Sequence, residues 1–204
     1  YQNVSNLSYA VKDAESINEI LVNSFAFPKE NITFLINEDA TKQNILKSFS
    51  DITKKAQDND RVLIFFAGHG ETMDLPEGGE KGYLIPVEGD SEDLYLTSVP
   101  MDELRQIALM SEAKHMLYLV DACYGGIAAI GSRGLEPKTT PNYIEKITKD
   151  KSRQIITAGG RGEKVIEKPE WGHSAFTLNI LRGLKDGAAD MNSDGYITAN
   201  ELGM

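Results

Sequence analysis

Apolar residues fall into two kinds of pattern along this chain. Leu7, Ala10, Val11, Ala14, Ile17 and Leu21 recur at the spacing of one helix face. Ile45, Phe49 and Ile52 do the same behind Thr41, whose hydroxyl suits a helix start. Other apolar residues come in short unbroken runs: "RVLIFF" (61–66), "HMLYLV" (115–120) and "RQIITAG" (153–159). Unbroken runs suit strands of a sheet covered on both faces. "NITFLIN" (31–37) reads as a further strand. "GYLIPV" (82–87) reads as a short edge strand reached through a loop containing Gly, Glu and Pro. Ser98 with Pro100 is expected to open a helix running to about Met110, and another helix should span about Ser174 to Leu184. Residues 127–152 show little periodicity beyond a short helical stretch near Tyr143–Ile147. Strands alternating with helices predict a single α/β domain with a mainly parallel sheet and helices on both faces.

In sheets of this kind ligands bind beyond the carboxyl ends of the strands. His69, in "VLIFFAGHG", lies just past one such end, and Cys123, in "MLYLVDACYGG", just past another. His115 stands at the amino end of its strand, on the opposite edge. A thiol becomes a strong nucleophile beside a base, and acyl transfer needs N–H donors for the oxyanion. Cys123, His69 and the backbone N–H groups of Gly70 and Cys123 supply those parts. The plainer alternative is a buried small thiol and a hydrogen-bonded structural histidine.

Composition narrows the setting. The 204 residues are 41% hydrophobic and 25% charged, as in ordinary globular domains. Thirty-one acidic residues against 21 basic ones give a net charge of −10, and no Lys/Arg-rich block offers a nucleic-acid surface. No apolar run approaches the roughly 18 residues of a membrane span, and no signal peptide is visible, so a cytoplasmic location is expected. The single cysteine rules out an internal disulfide and a zinc cluster built from thiolates.

"FFAGHG" and "DACYGG" resemble the His and Cys motifs of the caspase-like cysteine peptidases, the clan of caspases and metacaspases. The cysteine follows the histidine by 54 positions (123 − 69), close to the spacing of the caspase signature. "LSYAVKDAESINEIL", "GYLIPV" and "GHSAFT" resemble the family's first helix, post-His strand and late helix start, so the likeness covers most of the chain. It implies a caspase-like α/β/α sandwich with one more strand ahead of Tyr1, and a bacterial, orthocaspase-like member. It implies His69 as general base and acid and Cys123 as nucleophile, with Gly70 helping to hold the oxyanion and no third triad side chain required. Asp121, two residues before Cys123, matches the metacaspase-like choice where caspases carry Gln, and so implies cleavage after Arg or Lys. A solvated strand-end carboxylate is the plainer reading of Asp121. The likeness to metacaspases departs after the cysteine, where Tyr124-Gly125-Gly126 replaces the usual His-Ser-Gly. His173 could be a rival base, a cap or a pocket wall, and Trp171 could flank the pocket or simply pack.

A second motif lies near the end. "DMNSDGYITANE" follows the EF-hand calcium loop: Asp190, Asn192 and Asp194 at positions one, three and five, Gly195 at six, the Tyr196 carbonyl at seven, Thr198 at nine and Glu201 at twelve. Calcium at this loop is the one cofactor expected; an Asx-rich turn before a helix is the alternative. Protein or peptide substrates are the expected partners. The segment 127–152 carries Arg133, Lys138, Lys146, Lys149 and Lys151, so an enzyme preferring basic residues could cut itself there. The rival function is a catalytically silent caspase-like module acting as a calcium-dependent interaction domain.

Overall fold

The computed structural model describes residues 1–122, 148–159 and 165–204. In chain order its elements are helix α1 (Ala10–Asn23), helix α2 (Lys42–Lys55), strands β1 (Arg61–Ala67), β2 (Gly70–Asp74) and β3 (Glu80–Leu84), helix α3 (Leu94–Thr97), strand β4 (Val99–Pro100), helix α4 (Asp102–Met110), strands β5 (His115–Asp121), β6 (Ser152–Thr157), β7 (Glu167–Lys168) and β8 (His173–Ser174), helix α5 (Ala175–Lys185) and helix α6 (Ala199–Leu202).

Among the described residues three strands form the central sheet, in the order β1-β5-β6 and all parallel. Successive side chains of a strand point to opposite faces, which explains the unbroken apolar runs. Val62, Ile64 and Phe66, with Met116, Tyr118 and Val120, pack on one face against Ile45 and Phe49 of α2 and Leu104 and Ile107 of α4. Leu63, Phe65, Leu117 and Leu119 pack on the other against Ile17 and Leu21 of α1, Ile180 and Leu184 of α5 and Leu202 of α6. The fold is therefore α/β with helices on both faces. Each of these side chains that is fully buried contributes about 1.5–3 kcal/mol. The Tyr118 hydroxyl, fully buried, donates to the Leu104 carbonyl at 3.0 Å and so ties β5 to α4.

Three expectations shift. Residues 31–37 form no strand: short 3-10 turns at Lys29–Asn31 and Asn37–Asp39 flank an extended stretch. Among the described residues the stretch has no ladder partner; Ile32, Phe34 and Leu35 instead line a cavity of about 920 Å³ shared with Val62 and Ile64. The edge strand foreseen over 82–87 is β3, and it pairs antiparallel with β2 inside what read as loop. Val99 and Pro100 pair with Leu84 and Tyr83 rather than opening a helix, and α4 starts at Asp102. Proline suits this place because an edge strand tolerates its missing N–H. The short helix expected near Tyr143–Ile147 lies outside the described residues. Among the described residues no helix is long and apolar enough to cross a membrane.

Candidate active site

β1 and β5 run in register from Arg61↔His115 to Ala67↔Asp121, and the Gly68 N–H extends the ladder by donating to the Asp121 carbonyl at 3.1 Å. His69 is the next residue, between the end of β1 and the start of β2. Its position explains Gly68. A Cβ there would stand 2.6 Å from the Tyr1 hydroxyl and 2.8 Å from Phe66 Cζ, so a larger residue would have to push these two rings aside. The His69 backbone N–H donates to the Tyr1 hydroxyl at 3.0 Å, and the two rings lie 4.9 Å apart. The His69 carbonyl accepts from Ile85, which locks the turn onto the end of β3.

The imidazole makes one decisive contact. Its Nε2 lies 2.7 Å from the backbone carbonyl of Ser5. A carbonyl only accepts, so the proton sits on Nε2 and Nδ1 is left as the basic nitrogen. The sequence reading missed Ser5 because a main-chain carbonyl has no side-chain signature. Gly70 opens β2 opposite Leu84. Cys123 lies outside the described residues; the described chain stops at Ala122, one residue after β5.

Asp121 ends β5, 3% exposed. One carboxylate oxygen, Oδ2, accepts from the Ser174 hydroxyl at 2.5 Å and the Thr177 hydroxyl at 2.7 Å. The other, Oδ1, is buried without a partner among the described residues. Burial pushes its pKa up to about 6, against the two hydroxyl bonds, and the nearby Asp13 and Glu167 carboxylates add to the rise. Ser174 caps α5 by accepting from the Thr177 N–H, so a single residue starts the helix and holds the acid.

Behind Ser174 stands a second buried carboxylate that the sequence reading missed. Asp13 accepts from His173 Nδ1 at 2.6 Å and from the Ser174 backbone N–H at 3.2 Å. The available signal was position: Asp13 falls within the apolar stripe of α1, three residues after Ala10 and four before Ile17, and is 1% exposed. A charged residue in that place needs a partner. His173, which opens β8, is thereby bonded to Asp13. Trp171 takes the Lys168 ammonium over its ring at 4.7 Å. His115 sits at the amino end of β5 as expected, with Nε2 3.2 Å from the Asp150 carbonyl and its pKa held down by burial.

The caspase-domain family model matches residues 1–197. The chain belongs to the caspase-domain family. Metacaspase-1 of Eremothecium gossypii is 26% identical over 140 residues, covering 63% of this chain and 30% of its own length. Metacaspase-7 of Arabidopsis thaliana is 28% identical over 157 residues, covering 70% of this chain and 37% of its own. This caspase domain thus spans roughly a third of the length of these relatives. A solved structure, protein GSU0716 of Geobacter sulfurreducens, matches with a TM-score of 0.60 at 19% identity over 89% of this chain and 74% of that one, a likeness of fold.

The acidic loop lies apart from this edge. Asp190 accepts from the N–H groups of Asp194 and Gly195, at 3.1 and 2.9 Å, Asn192 from Asp194 at 3.0 Å, and Asp194 from Tyr196 at 2.9 Å. Gly195 has φ of +83°, the left-handed turn that the sixth position needs. Glu201 Oε2 accepts from the Thr198 N–H and hydroxyl, both at 2.8 Å, while its Oε1 is buried without a partner among the described residues. Among the described residues no three His, Cys, Asp or Glu side chains are gathered as a metal cluster.

Proposed function

We propose that this domain is a cysteine endopeptidase that cleaves peptide bonds after Arg or Lys. The observation that carries the reading is the bond from His69 Nε2 to the Ser5 carbonyl. It leaves Nδ1 as the base at the carboxyl end of β1, whose neighbour β5 leads directly into Cys123. In this reading Nδ1 takes the thiol proton and the thiolate of Cys123 attacks the scissile carbonyl. The N–H groups of Gly70 and Cys123 hold the oxyanion. The imidazolium returns its proton to the departing amine, and water then hydrolyses the thioester. Ser5 orients the ring and supports the positive charge it acquires, without itself titrating.

Specificity rests on Asp121. Its unpartnered oxygen faces a site where a second carboxylate, Asp13, is already committed to His173 and Ser174. A guanidinium or ammonium supplies the missing donors and favours the ionised acid. Self-cleavage follows for the segment after the nucleophile. Arg133, Lys138 and Lys146 lie outside the described residues, Lys149 is exposed, and Lys151 is paired with Asp58 at 3.3 Å on the surface.

The test is covalent. A peptidyl electrophile with Arg at its reactive end should label Cys123 stoichiometrically, and His69→Ala should slow labelling by at least about a hundredfold. Equal labelling by an Asp-directed probe rejects the specificity, and equal labelling of His69→Ala rejects the dyad.

A further inference from the structure

The peptidase reading leaves one buried group unused, the carboxylate of Glu201. It is 4% exposed, although it sits in the first turn of the four-residue helix α6. Thr198 and Glu201 form a capping box, with the Thr198 hydroxyl accepting from the Glu201 N–H and Glu201 Oε2 accepting from the Thr198 N–H. Capping accounts for one oxygen. It requires neither the burial of the carboxylate nor the stranding of Oε1 without a donor. An unpaired buried carboxylate oxygen costs more than the cap bond returns. Capping also asks nothing of Asp190, Asn192 or Asp194, which stand eleven, nine and seven residues earlier on the same loop.

Charge points the same way. No Lys or Arg occurs from Asp186 to Met204, while Asp186, Asp190, Asp194 and Glu201 do. The donors are all oxygens: two carboxylates and an amide, the Tyr196 carbonyl, the Thr198 position and a twelfth-position carboxylate with one free oxygen. We propose that residues 190–201 bind one calcium ion, with Asp190, Asn192, Asp194, the Tyr196 carbonyl and Glu201 as ligands and Thr198 acting directly or through water. Calcium accepts this number of oxygens in an irregular shell, whereas magnesium demands a tighter octahedron.

The backbone N–H groups of Asp194 and Gly195 donate to the Asp190 carboxylate, and that of Tyr196 to the Asp194 carboxylate. On binding, Glu201 turns from Thr198, which its Oε2 now holds, to present both oxygens. This rearrangement lowers affinity, so a Kd of about 10⁻⁵–10⁻³ M is expected. The ion's effect passes to the core next to it. Leu202 belongs to the apolar cluster of Ile17, Leu119 and Ile180, and Ala189 packs over Gly183 of α5. Calcium therefore clamps the last helix onto α5 and the sheet.

Calorimetry on the full chain carrying Cys123→Ala separates this site from the peptidase reading, because no turnover is needed. About one calcium per chain should bind, and Tm should rise by about 5–10 °C at a hundred times Kd. Asp190→Ala should weaken binding at least tenfold. Glu201→Gln, which keeps a cap oxygen for the Thr198 N–H and so keeps the fold, should do the same. No heat and no Tm shift at about 10 mM calcium, or unchanged affinity in Glu201→Gln, overturns the proposal. An equal Tm rise with magnesium overturns the choice of calcium.

Discussion

Asp121 and Glu201 pose the same problem in two places. Each carboxylate is buried, each gives one oxygen to hydroxyl donors, and each keeps the other without a partner. Their surroundings differ. Asp121 is held between the end of a core strand and the first turn of α5, with its donors fixed by helix capping. Glu201 is held by a loop that supplies several further oxygens and no cation. A rigid site with one free oxygen suits a single organic cation. A ring of oxygens on a loop that can rearrange suits a metal ion. In the two proposals the same kind of orphaned atom is assigned to substrate recognition in one place and to ion binding in the other, and the neighbours are the ground for the difference.

The sharpest way to break this comparison is to show that Asp121 reacts rather than recognises. His69→Ala sets the scale for a reacting group. It should cut turnover by about two to four orders of magnitude on every substrate, as measured by steady-state kinetics. Asp121→Ala should instead lower kcat/KM for Arg substrates by about 30- to 1,000-fold, mainly through KM. A loss confined to kcat would move Asp121 into the chemistry and end the parallel with Glu201.

Acidity gives a finer test. Below about pH 6 the Asp121 carboxyl is neutral, and above it the ionised form can hold a cation. Affinity for agmatine, a guanidinium ligand with no scissile bond, should rise about tenfold from pH 5 to pH 7 and stay flat in Asp121→Asn. The same raised pKa makes the group's contribution to stability complete below its ordinary value of 3.8 and lost as pH rises through about 6. Thermal melts of Asp121→Asn should lack that decline. The smallest effect concerns a single donor. Thr177→Val removes one hydroxyl bond that favours the ionised acid, so the midpoint of the agmatine profile should move upward from about 6. A downward move would contradict the assigned geometry.

Much of this was legible in residue order because the signals are local. The runs at 61–66 and 115–120 are β1 and β5, and Thr41 and Ser174 cap the helices they precede. Residues 31–37 failed as a strand because a strand is defined by its partner, and the stretch faces a cavity instead of a ladder. Pro100 misled in the opposite sense: it suits the first turn of a helix, yet here it completes a three-stranded antiparallel edge with β3. Gly68 was visible as a glycine, but the tyrosine and phenylalanine that exclude a side chain there were not.

The sequence by itself determined the α/β class, the sheet edge on which His69 stands and the oxygen-rich loop at 190–201. Hydrophobic period and motif spacing are written in neighbouring residues. Only the tertiary structure decided what those groups touch. The Ser5 carbonyl reaches His69 across 64 positions, and Asp13 reaches His173 across 160. Asp121 meets Ser174 and Thr177 across 53 and 56. No local pattern encodes such meetings, because they arise when helices pack on a sheet and buried polar groups must find donors far along the chain.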